Sequence, residues 1–171
     1  ARQSFQILTS SAWGSPAIRS APERRFVAWH PDGERVTFTG VDGDLYWMRA
    51  DGSGEAERLT TSDANARSSP RVQVPTSWSP DGRTLLFTQR LRSAATVNRD
   101  IWTLTVGGSA PAARPFLVSA SDESSAELSP DGRYLAYESN QSGRSEVYVE
   151  PFPGPGRREL VSIDGGGQPV W

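Results

Sequence analysis

The sequence predicts an all-β fold assembled from repeated four-stranded antiparallel units. The main observation is a tripeptide that recurs at intervals of 49 and 50 residues, as Pro31-Asp32-Gly33, Pro80-Asp81-Gly82 and Pro130-Asp131-Gly132. A fixed period of this length is typical of solenoids and propellers. Alternating apolar and polar residues, the pattern of strands, follow each copy, and no stretch of ten or more residues shows helical periodicity.

The Pro-Asp-Gly tripeptides mark tight hairpins between the first and second strands of each unit. Proline presets φ at the first central position, aspartate suits the second, and glycine accepts the left-handed conformation that follows. A bulky apolar residue ends the strand before each turn, namely Trp29, Trp78 and Leu128, and Trp171 occupies the same place in a fourth, truncated repeat. We interpret the three tryptophans as core residues between adjacent units.

The third and fourth strands have recurring patterns of their own. An acidic, an aliphatic and an aromatic residue open the third strand, in Asp44-Leu45-Tyr46, Asp100-Ile101-Trp102 and Glu146-Val147-Tyr148. We interpret these acids as hydrogen-bonding residues of the strand framework. The fourth strand ends in Leu59-Thr60-Thr61, Leu117-Val118-Ser119 and Leu160-Val161-Ser162.

These patterns predict one domain over residues 1–171. The complete units span about residues 26–61, 76–119 and 126–162, and single strands lie near 4–9 and 168–171. Four-stranded units repeated in this way are the blades of a β-propeller. We therefore expect a partial propeller of three complete blades and one extra strand at each end.

Two segments carry a family resemblance. Trp-Ser-Pro-Asp-Gly-Arg at residues 78–83 and Ser-Pro-Asp-Gly-Arg-Tyr-Leu-Ala-Tyr at residues 129–137 resemble the WD40-like Pro-Asp repeats of TolB-type propellers. The resemblance covers about residues 26–171, and residues 134–171 are most similar to the group associated with bacterial serine/threonine kinases. His30 replaces the usual serine, and Leu128 replaces the usual tryptophan.

The resemblance implies three possible settings for the chain. These repeats occur in the periplasmic TolB protein, in the propeller domains of prolyl oligopeptidase-like enzymes, and in the sensor portions of bacterial kinases. The resemblance therefore favours a periplasmic or other extracytoplasmic location.

The expected blade count leaves the ring open. Propellers typically have about 4 to 8 blades, and an open ring exposes two sheet edges. We expect the natural protein to extend beyond Ala1 and Trp171. If the chain exists alone, we expect a homodimer or a larger ring that forms through these edges.

Composition excludes several classes of partner. The net charge of -2 and the pI near 5.5 argue against a nucleic acid or an anionic membrane held by bulk charge. The chain has no cysteine, so it has neither disulfides nor a thiolate metal site. No apolar run approaches the roughly 18 residues of a membrane helix, so we expect no membrane insertion.

The loops opposite the Pro-Asp-Gly turns vary most in length, and they are the candidate binding loops. They span residues 9–25, 61–75 and 89–99. Their candidate binding residues are Trp13, Arg67, Arg71, Arg90, Arg92 and Arg99. The arginines predict a basic patch for a carboxylate, phosphate or acidic peptide, or alternatively a solvated surface balanced by nearby acids. Trp13 is either an anchor for a partner or a residue that packs under its loop.

Motifs for common hydrolytic chemistry are incomplete. His30 is the only histidine, and the sequence contains no Gly-x-Ser-x-Gly elbow. Residues 42–44 and 51–55 lack the ligand spacing of a calcium loop, and ordinary turns explain them. Carboxylate pairs from different blades remain open as a glycosidase-like or lyase arrangement.

We therefore predict a non-catalytic scaffold that recognises a protein or another ligand, without a cofactor or a metal. It fits the sensor segment of a larger bacterial protein. The alternative is the accessory propeller of a prolyl oligopeptidase-like peptidase whose catalytic domain lies outside this chain.

Overall fold

The computed structural model describes residues 26–61, 71–91, 98–108, 110–154 and 156–171. These residues form three four-stranded antiparallel sheets, and each sheet takes its strands in chain order from one repeat. We call the sheets blades 1, 2 and 3. The strand predicted at residues 4–9 lies outside the described residues. None of the described residues belongs to a helix that could cross a membrane.

The strands within each blade pair consecutively. Blade 1 contains β1 (Val27–Trp29), β2 (Arg35–Thr39), β3 (Leu45–Arg49) and β4 (Glu57–Arg58). Blade 2 contains β5 (Arg71–Trp78), β6 (Thr84–Leu91), β7 (Arg99–Thr105) and β8 (Ala112–Leu117). Blade 3 contains β9 (Glu123–Leu128), β10 (Tyr134–Ser139), β11 (Glu146–Pro151) and β12 (Glu159–Leu160).

Each Pro-Asp-Gly turn joins the first two strands of its blade. The turn glycine donates its N–H to the carbonyl three residues earlier, at 2.8 to 3.0 Å, in Gly33, Gly82 and Gly132. These glycines have φ of 72°, 69° and 70°, the left-handed region in which a side chain is strained. The three turns therefore need glycine for a backbone reason.

The first, or inner, strands of blades 2 and 3 begin earlier than predicted. β5 begins at Arg71 and β9 at Glu123, whereas we expected starts near 76 and 126. The pairing of β5 shifts register between Pro75 and Ser77, and that of β9 shifts opposite β10. A bulge interrupts the alternation of side chains by which a strand is recognised, so the first part of each strand was missed.

Residues 168–171, for which we predicted a strand, form no strand in the structure. Trp171 contacts blade 3 through its side chain, whose Nε1 donates to the carbonyl oxygen of Glu127 at 3.1 Å. A strand needs a ladder of backbone bonds, and a single side-chain bond does not supply one.

Apolar side chains fill both spaces between blades. Leu85 and Phe87 of β6 pack with blade 1, whereas Leu86, between them in sequence, packs with blade 3. This alternation follows from the pleat, which points successive side chains to opposite faces. Blade 2 is therefore buried on both faces, with Leu45 of blade 1 on one side and Tyr137 of blade 3 on the other.

The repeated tryptophan position is buried in only one of its three occurrences. Trp78 is 8% exposed, stacks on Trp47 with ring centroids 6.1 Å apart, and donates its indole N–H to Thr37 Oγ1 at 3.2 Å. Trp29 and Trp171 are 56% and 53% exposed, so the described blades form no core around them, and an inter-blade core there stays a prediction. Trp78 packs on the preceding blade, and no described blade precedes β1 or follows Trp171.

Candidate functional site

One end of blade 2, opposite its Pro-Asp-Gly turn, collects three of the predicted arginines. The register pairs Arg90 with Arg99, and it places Arg71 opposite Leu91 in the next row. We call Arg71, Arg90 and Arg99 the arginine end of blade 2. The other candidates, Trp13, Arg67 and Arg92, lie outside the described residues.

The arginine end presents its guanidinium groups on two faces of the sheet. Leu86 packs toward blade 3, so by alternation Arg90 and its cross-strand partner Arg99 also face blade 3. Arg71 lies on the opposite face, where it lines a cleft between blades 1 and 2. The predicted basic patch is therefore divided by the sheet.

Arg99 is neutralised within the protein. The Asp122 carboxylate accepts bonds from Arg99 Nε at 2.9 Å, from Nη2 at 2.6 Å and from the backbone N–H at 2.8 Å. Burial acts to raise the pKa of Asp122, but the bonds from Arg99 outweigh it and hold that pKa below its usual value. The alternative prediction, an arginine balanced by a nearby acid, describes Arg99.

Arg71 and Arg90 form no ion pair within the described residues. Burial raises the pKa of Asp100. The hydrogen bond from the Ser119 N–H and the positive charge of Arg71 act to lower that pKa, but burial outweighs them. Asp100 Oδ1 is buried without a hydrogen-bond partner among the described residues. Arg71 is thus a cation that the described chain leaves available to a ligand.

The other two acids that open third strands are tied into the framework. Asp44 accepts a bond from Arg58, and Glu146 accepts bonds from Ser162 Oγ and from the Gly165 N–H, the latter at 2.9 Å. Within the described ranges, no three histidine, aspartate or glutamate side chains gather as a metal site would require. Asp100 therefore differs from its two counterparts.

A polar tie joins blades 1 and 2. Thr60 Oγ1 donates to Oε1 of Gln73, and Gln73 Nε2 donates to Oε1 of Gln89 at 3.0 Å. All three side chains are buried. The tie links the end of blade 1 to the inner strand of blade 2.

The same tie recurs between blades 2 and 3 with a carboxyl group in place of the amide. Ser119 Oγ donates to Glu123 Oε1 at 2.6 Å, and Ser139 Oγ lies 3.4 Å from the same oxygen. Glu123 precedes Leu128 by the same five residues that separate Gln73 from Trp78. Sequence reasoning missed these ties, although the recurring serine or threonine after the fourth strand was a usable signal.

His30 joins the turns of blades 1 and 2. Its Nε2 lies 3.1 Å from the carbonyl oxygen of Gly82, and its Nδ1 lies 2.9 Å from Asp32 Oδ2. The ring packs edge-on against Trp78 with centroids 4.7 Å apart. Ser79 and Ser129, at the equivalent positions, bond within their own turns, whereas His30 contacts the turn of the next blade.

A cleft of about 560 Å³ lies between blades 1 and 2 at their outer part. One wall is the end of blade 1, and the other is the face of blade 2 that carries Gln73, Gln89, Trp102 and Leu104. Arg71 and Arg58 stand at its polar part, and the turn before β8 contributes Pro111. Its volume lies within the range of small-ligand sites.

The chain is similar to solved propeller structures. No protein-family model matches it, and no curated protein matches it in sequence. A putative TolB from Agrobacterium tumefaciens is 26% identical with a TM-score of 0.60, over 81% of this chain and 49% of that one. TolB from Acinetobacter baumannii is 20% identical with a TM-score of 0.58, over 83% of this chain and 33% of that one.

Propellers of peptidases also match. Prolyl oligopeptidase B from Galerina marginata is 13% identical with a TM-score of 0.57, over 78% of this chain and 19% of that one. The chain spans about half the length of the first TolB and a third of the second. Its four-stranded antiparallel sheets and these neighbours give the chain the fold of a TolB-like β-propeller.

Proposed function

We propose that this chain is a segment of a propeller built from WD40-like Pro-Asp repeats, and that it is a non-catalytic scaffold that recognises a protein or peptide. The observation that carries the proposal is the arginine end of blade 2, where Arg71 and Arg90 form no ion pair within the described residues. Both residues lie in strands rather than in loops, Arg71 at the start of β5 and Arg90 near the end of β6. Two cations without an ion pair among the described residues favour a partner with carboxylates.

The roles of the polar residues support recognition rather than turnover. His30 holds two turns together, and Asp44 and Glu146 hold strand ends. Arg99 is paired with Asp122. These side chains serve the packing of the blades, whereas Arg71 and Arg90 serve no described internal contact of that kind.

The test uses a fluorescein-labelled hexaglutamate peptide and measures fluorescence anisotropy at low ionic strength. We expect saturable binding that weakens about 10-fold when Arg71→Gln and Arg90→Gln are combined, because charge-assisted bonds are lost. Arg83→Gln is the matched control, since Arg83 is an exposed arginine at the other end of blade 2. Equal weakening by the control, or no effect of the double substitution, contradicts the proposal.

We further propose that the open sides of blades 1 and 3 pack against another copy of the chain. Phe26 and Trp29 are exposed on blade 1, and large apolar residues are exposed on the last part of the chain at Leu160, Val161, Ile163, Val170 and Trp171. Large exposed apolar patches mark interaction sites. Light scattering over a range of concentrations should show association that Trp29→Glu abolishes and Val41→Glu, an exposed loop control, preserves. A stable monomer contradicts this proposal.

A second candidate function is the accessory propeller of a prolyl oligopeptidase-like peptidase. The similarity to the Galerina marginata enzyme favours it. The full reading frame tests it: an adjoining α/β-hydrolase domain supports the accessory role, whereas an adjoining kinase domain and membrane helix support a sensor.

A further inference from the structure

The polar part of the cleft between blades 1 and 2 contains two arginines, Arg58 and Arg71. Arg58 is held by Asp42 at 3.0 Å, by Asp44, and by the carbonyl oxygen of Thr60 at 3.0 Å. Arg71 has no ion pair within the described residues, although it lines the same cleft. An anionic group in this cleft would therefore be recognised by Arg71.

The same cleft is also lined by an amide, that of Gln89. Gln89 is aligned with Gln73, whose Nε2 donates to Gln89 Oε1 at 3.0 Å. No bond to another described residue uses Gln89 Nε2. The bond from Gln73 fixes the orientation of the Gln89 amide, so that its N–H₂ group is a positioned donor in the cleft that Arg71 also lines.

The remaining wall of the cleft is apolar. Trp102 and Leu104 line it from β7, Leu59 lines it from blade 1, and Pro111 and Ala113 line its far side. Trp102 Nε1 is buried without a partner among the described residues. An apolar side chain that packs on this indole would gain the contact area that makes tryptophan a common anchor of binding sites.

The charge of Asp100 limits which anion fits. Asp100 is the cross-strand partner of Gln89 and acts electrostatically with Arg71. A ligand carboxylate near Arg71 carries one negative charge and is repelled by that of Asp100. A doubly charged phosphate would be repelled more strongly by Asp100. The volume of about 560 Å³ also exceeds the needs of a simple anion.

We propose that this cleft binds the carboxy-terminal end of a peptide. The terminal carboxylate pairs with Arg71 and accepts a bond from Gln89 Nε2, and the last side chain, an apolar one, packs on Trp102 and Leu104. Capture of a terminal carboxylate is a known mode of peptide recognition. This inference rests on the proposed recognition function. It specifies the ligand that binds on the face of blade 2 that is turned toward blade 1.

The test follows the full chain labelled with 5-fluorotryptophan by ¹⁹F NMR. Trp102→Phe assigns the Trp102 resonance among those of the six tryptophans. The probes are the tripeptide Ala-Ala-Phe and the same tripeptide with a carboxy-terminal amide. We expect the free acid to shift the Trp102 resonance saturably and the amide to bind at least 10-fold more weakly, since it lacks the charge-assisted bond.

Three substitutions sharpen the test. Arg71→Gln should weaken binding of the free acid about 10-fold, and Arg90→Gln, at the same end but on the other face of the sheet, should leave it unchanged. Asp100→Asn should tighten binding, because it removes the negative charge that competes for Arg71. Dispersion of the backbone amide spectrum verifies that each variant is folded.

The outcomes also separate this inference from the proposed function. Equal binding of acid and amide, a Trp102 resonance that does not move at millimolar peptide, or insensitivity to Arg71→Gln overturns the peptide-terminus site. If hexaglutamate binding then still depends on Arg71 and Arg90 together, the recognition function stands without it.

Discussion

The hydroxyl of Ser119 donates a hydrogen bond of 2.6 Å to Oε1 of Glu123, and this bond joins the segment that follows β8 of blade 2 to β9 of blade 3. The other carboxyl oxygen of Glu123 is buried without a partner among the described residues. At the preceding interface, the neutral amide of Gln73 holds the same place and uses both its oxygen and its nitrogen. The two interfaces share a geometry but differ in charge.

Glu123→Gln should stabilise the protein at neutral pH. Burial, aided by the negative charge of Asp100, raises the pKa of Glu123, so the native state binds this proton more tightly than the unfolded chain does. Stability contributed by the group is therefore present at low pH and is lost as pH rises from about 4.3 through the raised native value. We expect urea unfolding to show a gain of about 1 kcal/mol at pH 7.5 that disappears below about pH 4.

Glu55→Gln, at an exposed glutamate, is the control for this experiment and should change stability little at either pH. A loss of stability in Glu123→Gln at pH 7.5, or a difference from wild type that does not depend on pH, would contradict the prediction.

Gly82→Ala should destabilise the protein more than Gly33→Ala. Both glycines have positive φ, of 69° and 72°, so each substitution strains the backbone by about 1 to 2 kcal/mol. A methyl group on Gly82 would also lie 2.6 Å from Nε2 of His30, whereas one on Gly33 would meet nothing within 4 Å. We expect an additional cost of about 1 to 3 kcal/mol in thermal or urea unfolding.

The additional loss of stability in Gly82→Ala is expected to come from contact of the new methyl group with the ring of His30. In the background of His30→Ser, Gly82→Ala and Gly33→Ala should therefore become nearly equal in their effects. If the excess cost of Gly82→Ala persists without the imidazole, the proposed clash is incorrect.

Trp78→Ala should cost far more stability than Trp29→Ala, although both residues precede a Pro-Asp-Gly turn. Trp78 is buried against Trp47 and donates a hydrogen bond to Thr37, and truncation of such a residue costs about 3 to 5 kcal/mol. Trp29 is more than half exposed, so its truncation should cost less than about 1 kcal/mol in the monomeric chain. Urea unfolding at low protein concentration measures both, and similar losses would show that Trp29 is covered in solution.

Asp131 should titrate near pH 2. The hydroxyl of Ser129, at 2.6 Å, is the main cause, and the side chain and backbone N–H of Arg133 add to it, so that the pKa falls to about 2. Because the native pKa is below the unfolded value of about 3.9, the stability from this group is present above pH 4 and is lost as pH falls toward 2. Carboxyl ¹³C chemical shifts measure the titration directly.

Ser129→Ala should raise the pKa of Asp131 and leave that of Asp81 low, since Asp81 has its own hydroxyl donor in Ser79 at 2.6 Å. Ser79→Ala should do the reverse. A pKa of Asp131 that does not respond to the loss of the hydroxyl would exclude this hydrogen bond as the cause.

The order and pairing of the strands were predictable because they depend on turns and on alternating residues that are close together in the chain. The Pro-Asp-Gly turns set where β1, β5 and β9 end, and the alternation after each turn shows which residues of the second strand face a neighbour. The bulges in β5 and β9 break that alternation, which is why their first residues were not predicted.

The arginine candidates show where local patterns stop being informative. The sequence does not distinguish Arg71, Arg90 and Arg99. Among the described residues, Arg99 alone of the three pairs with a carboxylate, that of Asp122, which lies 23 residues away in the chain. The face on which each arginine lies depends on the register of the sheet, and a shift of one residue would reverse it.

The all-β class, the repeat and the turns follow from the amino-acid sequence alone, since they depend on backbone chemistry over a few residues. Which of the equivalent positions are buried depends on the packing of the blades, as the contrast between Trp78 and Trp29 shows. That packing also leaves Asp100 and Glu123 each with a buried oxygen without a described partner. Burial and the choice of partner depend on which blade packs on each face of a sheet. The local sequence of a repeat does not show which blade that is.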